Sequence, residues 1–254
     1  MPEWAEELRD GFPKLKNLDS HLSTRVLQKL HRLAVPLTRL RIRGERLDND
    51  ILQAASAFKY LENLDVESRS HVGWRVTGSE LISVAQNCPN LTYLHLGDYL
   101  KADDMNDANL LVASRSFRSL KFLCLQYTEG KELSFATLQS LGMHCPNLRS
   151  LRITCDVDWD YIEQNDIGVV FLELRELRIL PRSRFRWSGS IYKPMKALAE
   201  KILRLAPNLS GFTMSDQHDV RYRELAHAVM SLLKEQHYKD LLARAKQSRR
   251  SKQT

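Results

Sequence analysis

The sequence of 254 residues lacks a long apolar segment, an apolar leader and any close pair of cysteines. No apolar run approaches the roughly 18 residues that are needed to cross a bilayer, so we expect no membrane partner. The first residues, MPEWAEELRDGF, are acidic and carry no signal-peptide segment. The four cysteines include no C-x-x-C pair, which argues against the common zinc patterns. We therefore expect reduced thiols in the cytoplasm or the nucleus.

The main body of the chain has little net charge, although the formal net charge of the whole chain is +7. Nine Lys/Arg and three Asp/Glu lie between Arg221 and Thr254, so the preceding residues carry a net charge of only +1. A domain that binds nucleic-acid phosphates usually has a stripe of basic residues on its own surface. The charge distribution therefore argues against nucleic acid as the partner of the main body.

One hexapeptide frame, L-x-x-L-x-[LIVM], recurs along the sequence. Its first positions are separated by 24, 30, 29, 28, 26 and 35 residues, and copies in such register indicate a repeat architecture. A degenerate further copy places Leu15 and Leu18 in frame and Ser20 at the third position. The seven regular copies are Leu37-Leu40-Ile42, Leu61-Leu64-Val66, Leu91-Leu94-Leu96, Leu120-Leu123-Leu125, Leu148-Leu151-Ile153, Leu174-Leu177-Ile179 and Leu209-Phe212-Met214.

The repeat predicts an α/β solenoid of about seven to eight units over residues 1–217. The alternation at the end of each frame predicts a short strand whose leucines point into the core. Helical patterns lie between the frames, and each opens with Asp, Asn or Ser at a capping position. Because no single unit can bury its own apolar face, the units must stack. The helical patterns are Asp48–Tyr60, Ser79–Asn87, Asn106–Phe117 and Ser134–His144.

Two of the frames lie within the segments CPNLTYLHL and CPNLRSLRI, and a third lies within APNLSGFTM. Proline cannot continue a helix, and it pushes the residue before it out of helical geometry. We therefore expect Cys88, Cys145 and Ala206 to end helices in a crowded corner that admits only small side chains. The following asparagine suits the turn into the strand.

These segments resemble the leucine-rich repeats of the ribonuclease-inhibitor-like class, and most closely its cysteine-containing type. The resemblance covers about residues 12–215, although Tyr99, Thr128, Asp156 or Arg182 stands where the consensus has Asn or Cys after the strand. It implies a horseshoe with parallel strands on the concave face and helices on the convex face. Since this type is common in F-box proteins, it also implies a non-catalytic protein-recognition scaffold, the substrate-recognition part of an F-box-type ubiquitin ligase subunit, with other ligase subunits as partners.

The C-terminal residues follow a different pattern from the repeats. Residues 218–245 are amphipathic, which predicts a capping helix, with a partner-binding helix as the alternative. Residues 246–254 form a basic tail that we expect to be disordered. The apolar stripe of the helix consists of Leu225, Val229, Leu232, Leu233, Leu241 and Leu242.

The outward positions between the second and third leucines should form a column on the concave face, since adjacent strands lie about 4.8 Å apart. Tyr93 and Phe122 share an offset in adjacent repeats, so their rings should form an apolar centre. We predict that a protein partner binds this face, because aromatic residues and arginine are enriched at binding hot spots. The column is Arg41, Asp65, His95, Cys124, Arg152, Arg178 and Thr213, and all but Cys124 and Thr213 are candidate partner contacts together with Tyr93 and Phe122.

A basic and aromatic loop, PRSRFRWSGSIYKP at residues 181–194, occupies the longest interval between frames. Its Arg184 and Trp187 are further candidate partner contacts. Basic–aromatic interleaving also suits single-stranded nucleic acid. A nucleic-acid-binding protein that uses this loop and the basic tail is therefore the alternative function.

Catalysis would require the neighbouring Asp65, His95 and Cys124 to act as acid, base and nucleophile. A solenoid aligns arbitrary residues at every repeat, and no Gly-rich turn or helix N-terminus is evident to stabilise an oxyanion. We therefore predict that the protein is not an enzyme.

We also expect no cofactor and no metal. The DVDWD run at residues 156–160 spaces its carboxylates as a calcium loop would. However, Tyr161 stands where such a loop needs glycine, and Ile167 stands where it needs a chelating glutamate. An acidic surface loop is the expected structure.

Overall fold

The computed structural model describes residues 14–68, 74–102, 104–131, 133–165, 167–181, 195–214 and 220–250. The strands within these ranges are β1 (Asn17–Ser20), β2 (Arg39–Gly44), β3 (Asn63–Ser68), β4 (Trp74–Arg75), β5 (Tyr93–Ala102), β6 (Phe122–Gly130), β7 (Ser150–Thr154), β8 (Glu176–Leu180) and β9 (Gly211–Met214). The helices are α1 (Thr24–Arg32), α2 (Ile51–Ala55), α3 (Gly78–Asn87), α4 (Asp107–Ser114), α5 (Phe135–His144), α6 (Trp159–Gln164), α7 (Met195–Leu205) and α8 (Val220–Arg250).

The strands form one parallel sheet in the order β1-β2-β3-β5-β6-β7-β8-β9, with the short β4 paired to β5. The register follows the leucine frame, because Leu40 pairs with Leu64, Leu64 with Leu94 and Leu94 with Leu123. The degenerate copy is also a strand, with Leu18 opposite Leu40. Consecutive helices pack on the other side of the sheet. The predicted α/β solenoid, with parallel strands on the concave face and helices on the convex face, is confirmed.

A single carbonyl ties the entry of each strand to the preceding repeat. The carbonyl oxygen of Lys16 accepts hydrogen bonds from the N–H groups of Thr38 and Arg39, and that of Thr38 accepts from Glu62 and Asn63. This pair of hydrogen bonds is the same at each strand entry. The differences in repeat length therefore lie in the helical part of each repeat. The same arrangement recurs at the carbonyls of Glu62, Thr92, Lys121, Arg149 and Arg175.

The residues before the prolines lie in a crowded corner, as predicted. Cys88 and Cys145 are the C-caps of α3 and α5, and each thiol donates to a carbonyl of the preceding repeat. The Sγ atom of Cys88 lies 3.6 Å from the oxygen of Phe58, and that of Cys145 lies 3.7 Å from the oxygen of Ser114. Burial raises the pKa of both thiols to about 12. Ala206, which follows α7, is equally buried.

The helix starts agree with the predicted caps at two of the four predicted positions. Asn106 and Ser134 cap α4 and α5. Helix α3 begins earlier than predicted, with Thr77 rather than Ser79 outside its first turn. Thr77 and Glu80 bond to each other's backbone N–H groups, and this capping box fixes the earlier start.

Acidic side chains also cap the helices of neighbouring repeats. Asp48 does not begin a helix, since α2 starts later, at Ile51. Its carboxylate instead accepts from the backbone N–H of Thr24 at 2.8 Å, at the start of α1. Asp107 accepts from the backbone N–H of Ser134 at 2.9 Å in the same way. These carboxylates lie at the partly positive ends of helices and bind one repeat to the next.

The acidic-loop prediction for residues 156–160 is confirmed for residues 156–158 only, because Trp159 and Asp160 begin α6. Asp158 caps α6, because its side chain accepts from the backbone N–H of Tyr161 at 3.0 Å. Trp159 and Ile162 are buried, so one face of this short helix joins the core. The apolar residues within and after the acidic run therefore pack into the core, and they hold the start of α6 against it.

Helix α8 continues further than the sequence predicts. It spans Val220–Arg250, so residues 246–250 are helical rather than disordered, since no Pro or Gly stops the helix. Tyr222, Leu225 and Val229 are buried, and α8 packs against α7 and β9. The rest of the tail, residues 251–254, lies outside the described residues. In the described part of the chain, no helix is long and apolar enough to cross a membrane.

Candidate partner-binding surface on the concave face

The structure brings the column of outward residues together on adjacent strands. Each member pairs in register with the next one along the sheet, and neighbours are one strand spacing apart, about 4.8 Å. The order along the sheet is Arg41, Asp65, His95, Cys124, Arg152, Arg178 and Thr213.

An ion-pair network lies at the N-terminal end of the column, where Asp19 also pairs with Arg43 at 3.4 Å. The Nε atom of Arg41 lies 2.9 Å from Oδ2 of Asp65, and its Nη2 atom lies 3.2 Å from Oε1 of Glu67. The Nδ1 atom of His95 lies 2.7 Å from Oδ1 of Asp65 and 3.4 Å from Oε1 of Glu67. Arg43 approaches Glu67 at 3.8 Å. Three candidate partner contacts are thus engaged with one another, although the side chain of Arg41 remains 40% exposed.

This network favours the charged form of His95. Burial lowers the pKa of His95, but hydrogen bonds to Asp65 and Cys124 outweigh burial and raise the pKa to about 10. Burial also acts to lower the pKa of Arg41, and the charges of Asp65 and Glu67 raise it overall. The two carboxylates therefore face three cations near neutral pH, namely Arg41, Arg43 and His95.

The ring of His95 occupies space beside Gly97, which has no side chain. A Cβ atom at Gly97 would lie only 2.7 Å from Nε2 of His95, closer than such contacts allow. Sequence analysis overlooked this position. The sequence signal for this position is a glycine inside a strand. Such a glycine often marks a place where another group comes close to the backbone.

The centre of the column is flanked by a stacked aromatic pair. The rings of Tyr93 and Phe122 are 4.3 Å apart and tilted by only 7°. The guanidinium carbon of Arg152 lies 5.6 Å from the centre of the Phe122 ring, and the His95 ring meets the edge of Phe122 at 6.4 Å. Burial and the negative charge of Asp65 raise the pKa of Tyr93. Both rings are half-buried, so a partner can still cover them.

Within the described ranges, the positive charge at the C-terminal end of the column has no ion-pair partner. Arg152 and Arg178 are directly opposite each other on β7 and β8. Among the described residues, neither guanidinium has a carboxylate within 4.0 Å. The nearby carboxylate of Glu176 instead accepts a hydrogen bond from Ser150 at 3.1 Å.

Cys124 is in the column but is not open to substrates. It is 1% exposed, although the strand alternation predicts that it points outward. His95 hydrogen-bonds to the thiol from the adjacent strand, and Phe122 stands two residues away on the same face. The row of Asp65, His95 and Cys124 therefore offers no accessible nucleophile.

Asp65, Glu67 and His95 each bring one possible ligand atom to within 4.8 Å of the others. Such a trio can hold a divalent cation when its donors are available. Here Arg41 already binds both carboxylates, and His95 keeps its proton against Asp65. The chemistry of the trio is that of an ion-pair network.

Comparisons with known proteins find partial similarity to this chain. No family model matches the sequence. The F-box protein SKIP1 of Arabidopsis thaliana is 29% identical over 126 aligned positions, which cover 45% of this chain and 40% of that protein. The chain thus matches less than half the length of that relative. The leucine-rich repeat-containing protein LegL7 of Legionella pneumophila aligns with 85% of this chain and 71% of its own, with a TM-score of 0.41 and 13% identity.

The strand–helix units stack in register into one parallel sheet, with the frame residues of the seven regular units in the core. The fold of the chain is a leucine-rich-repeat solenoid. Two of the candidate contacts, Arg184 and Trp187, lie outside the described residues. The column and the stacked pair are therefore the parts of the predicted surface whose geometry is known.

Proposed function

We propose that this leucine-rich-repeat protein is a non-catalytic scaffold that binds a protein partner on its concave face. The stacked pair of Tyr93 and Phe122, with Arg152 beside it, is the observation that carries the proposal. Half-buried aromatic rings next to an arginine are typical of interface hot spots. On one side of the pair lie ion-paired charges of both signs, and on the other side lie Arg152 and Arg178. This mixture of charges suits a polypeptide better than the uniformly anionic backbone of a nucleic acid.

A cleft on the same face supports this role. It has a volume of about 490 Å³ and opens beside Tyr93. A chain segment that crosses the strands could therefore fill the cleft and contact the stacked rings together. The other residues that line it are Asn17, Leu18, Asp19, Arg39, Leu40, Arg41, Asn63 and Asp65.

Within this role, we propose that the chain is the substrate-recognition part of an F-box-type ubiquitin ligase subunit in the cytoplasm or the nucleus. The similarity to an F-box protein over 45% of the chain supports this assignment. Other ligase subunits and one substrate protein would then be its partners.

Affinity capture from native cells tests both levels of the proposal. We expect ligase subunits and a substrate to be recovered with the wild-type chain. The double variant Tyr93→Ala/Phe122→Ala should lose the substrate and keep the ligase subunits. Tyr60→Ala, which removes an aromatic side chain that is 58% exposed outside the column, is the matched control and should keep both.

Three results would count against the proposal. Capture without ligase subunits would reject the ubiquitin ligase role. A substrate retained by the double variant would reject the concave site. Recovery of RNA or DNA with steeply salt-dependent binding would favour the nucleic-acid alternative.

A further inference from the structure

The two arginines at the C-terminal end of the column differ from the other charges of the concave face. Asp65 and Glu67 form ion pairs with His95 and Arg41 at distances of 2.7 to 3.4 Å. Arg152 and Arg178 instead oppose each other on neighbouring strands, where like charges destabilise a sheet. An anion placed between them would relieve this repulsion and accept charge-assisted hydrogen bonds from both.

Arg152 is also held in position before any ligand arrives. Its guanidinium lies against the ring of Phe122, which is itself stacked on Tyr93. Such a cation–π contact restrains the side chain beside the ring. The cationic pair and the apolar rings therefore form one continuous surface.

We propose that this surface takes an extended acidic segment of the partner protein. The carboxylate of an Asp or Glu side chain of that segment binds between Arg152 and Arg178, and an apolar side chain packs on Tyr93 and Phe122. This proposal rests on the proposed recognition function, and it adds the chemical class of the peptide that is recognised.

The geometry also gives the spacing within the peptide. The Arg152 guanidinium carbon and the Phe122 ring centre are 5.6 Å apart. In an extended chain, side chains two positions apart lie on the same face and are separated by about 6.7 Å. An apolar residue and an acidic residue with one residue between them would therefore reach both groups.

Fluorescently labelled synthetic peptides test this inference with the full chain. Each peptide carries one Leu and one Glu, separated by none to three residues in either order, on a Gly/Ser background. We expect the tightest binding at a separation of one residue, measured by fluorescence anisotropy. Replacing Glu by Gln in the peptide, or Arg152→Gln or Arg178→Gln in the protein, should weaken binding about tenfold or more.

Two control variants make the result specific. Arg115→Gln removes an exposed arginine next to α4, outside the sheet, and should bind the peptides like the wild type. The charge-reversed variant Arg178→Glu should lose the Glu peptide and gain affinity for the matched Lys peptide. Denaturant midpoints near the wild-type value would show that each variant is folded.

Any of three results with the peptides would overturn the inference. One is that none of the acidic peptides binds. Another is that binding is unaffected by either arginine substitution. The third is that phosphoserine peptides bind whereas Glu peptides do not, which would assign the arginine pair to phosphate rather than to carboxylate. If a natural partner is lost on Tyr93→Ala/Phe122→Ala but not on Arg152→Gln/Arg178→Gln, the recognition function stands and the acidic specificity fails.

Discussion

The Nδ1 atom of His95 lies 2.7 Å from the Oδ1 atom of Asp65 across the adjacent strands β5 and β3. The two side chains are only 18% and 13% exposed, so the pair is largely shielded from solvent. Burial opposes a charged imidazole, but a hydrogen bond to a carboxylate favours it. For His95 the hydrogen bonds of the ring outweigh the effect of burial, and its pKa rises to about 10.

This raised pKa predicts how stability depends on pH. The folded state binds the His95 proton more tightly than the unfolded state, whose pKa is near 6.5. The contribution is therefore fully present below about pH 6.5 and is lost as the pH rises through about 10. We expect urea unfolding midpoints of the wild type to fall over this interval more than those of His95→Gln. Equal declines in both proteins would show that the folded state does not retain this proton.

The leucine frame predicts the cost of truncating the core. Leu94 and Leu151 are fully buried, so Leu→Ala at either position should lower the free energy of unfolding by about 2–5 kcal/mol. Leu172 is 62% exposed and provides the matched control, for which we expect a change within about 0.5 kcal/mol. Denaturant unfolding measures all three variants. A midpoint unchanged in Leu94→Ala and Leu151→Ala would contradict the repeat register.

Sequence reasoning predicts the sheet well because the core fixes its register. A shift by one residue would expose leucines such as Leu94, so the frame leaves one alignment of the strands. Even the imperfect copy at Leu18 is a strand, since its neighbour β2 supplies the pairing. The helix ends are less predictable, because local alternatives compete there. Thr77 with its partner Glu80 prevails over Ser79 as the start of α3.

The same reasoning predicts which residues share the concave column but not how their side chains pair. Arg41 and His95 each have two carboxylates within reach, and the rotamers that connect them follow from packing rather than from spacing. The burial of Cys124 depends on neighbours on other strands. The room for the His95 ring depends on Gly97, whose role is visible only once the ring is placed.

The thiols should be protected by the fold. Cys88, Cys124, Cys145 and Cys155 are all free and buried, so native labelling by a maleimide should be slow and should accelerate on unfolding. Mass spectrometry of the labelled peptides measures each site. Rapid labelling of Cys88 and Cys145 would show that they are not packed at the helix ends. Selective, His95-dependent labelling of Cys124 at neutral pH would instead support a nucleophilic role.

The stacked rings predict where binding energy is concentrated. Tyr93 and Phe122 contact each other at 4.3 Å on the concave surface and are only half-buried, so Ala at either should cost little stability. The same change should weaken partner binding by about 2 kcal/mol or more, which is about thirtyfold in Kd. Because the rings touch, the double variant should lose less than the sum of the single losses.

Titration calorimetry with the captured partner measures these losses, and Tyr60→Ala controls for removal of an exposed aromatic side chain. The control should bind with wild-type affinity, because Tyr60 lies outside the concave column. If Tyr93→Ala/Phe122→Ala also binds with wild-type affinity, the partner does not use the concave face. The site would then lie on another surface, and the next variants to measure would be those in residues 181–194 and in α8.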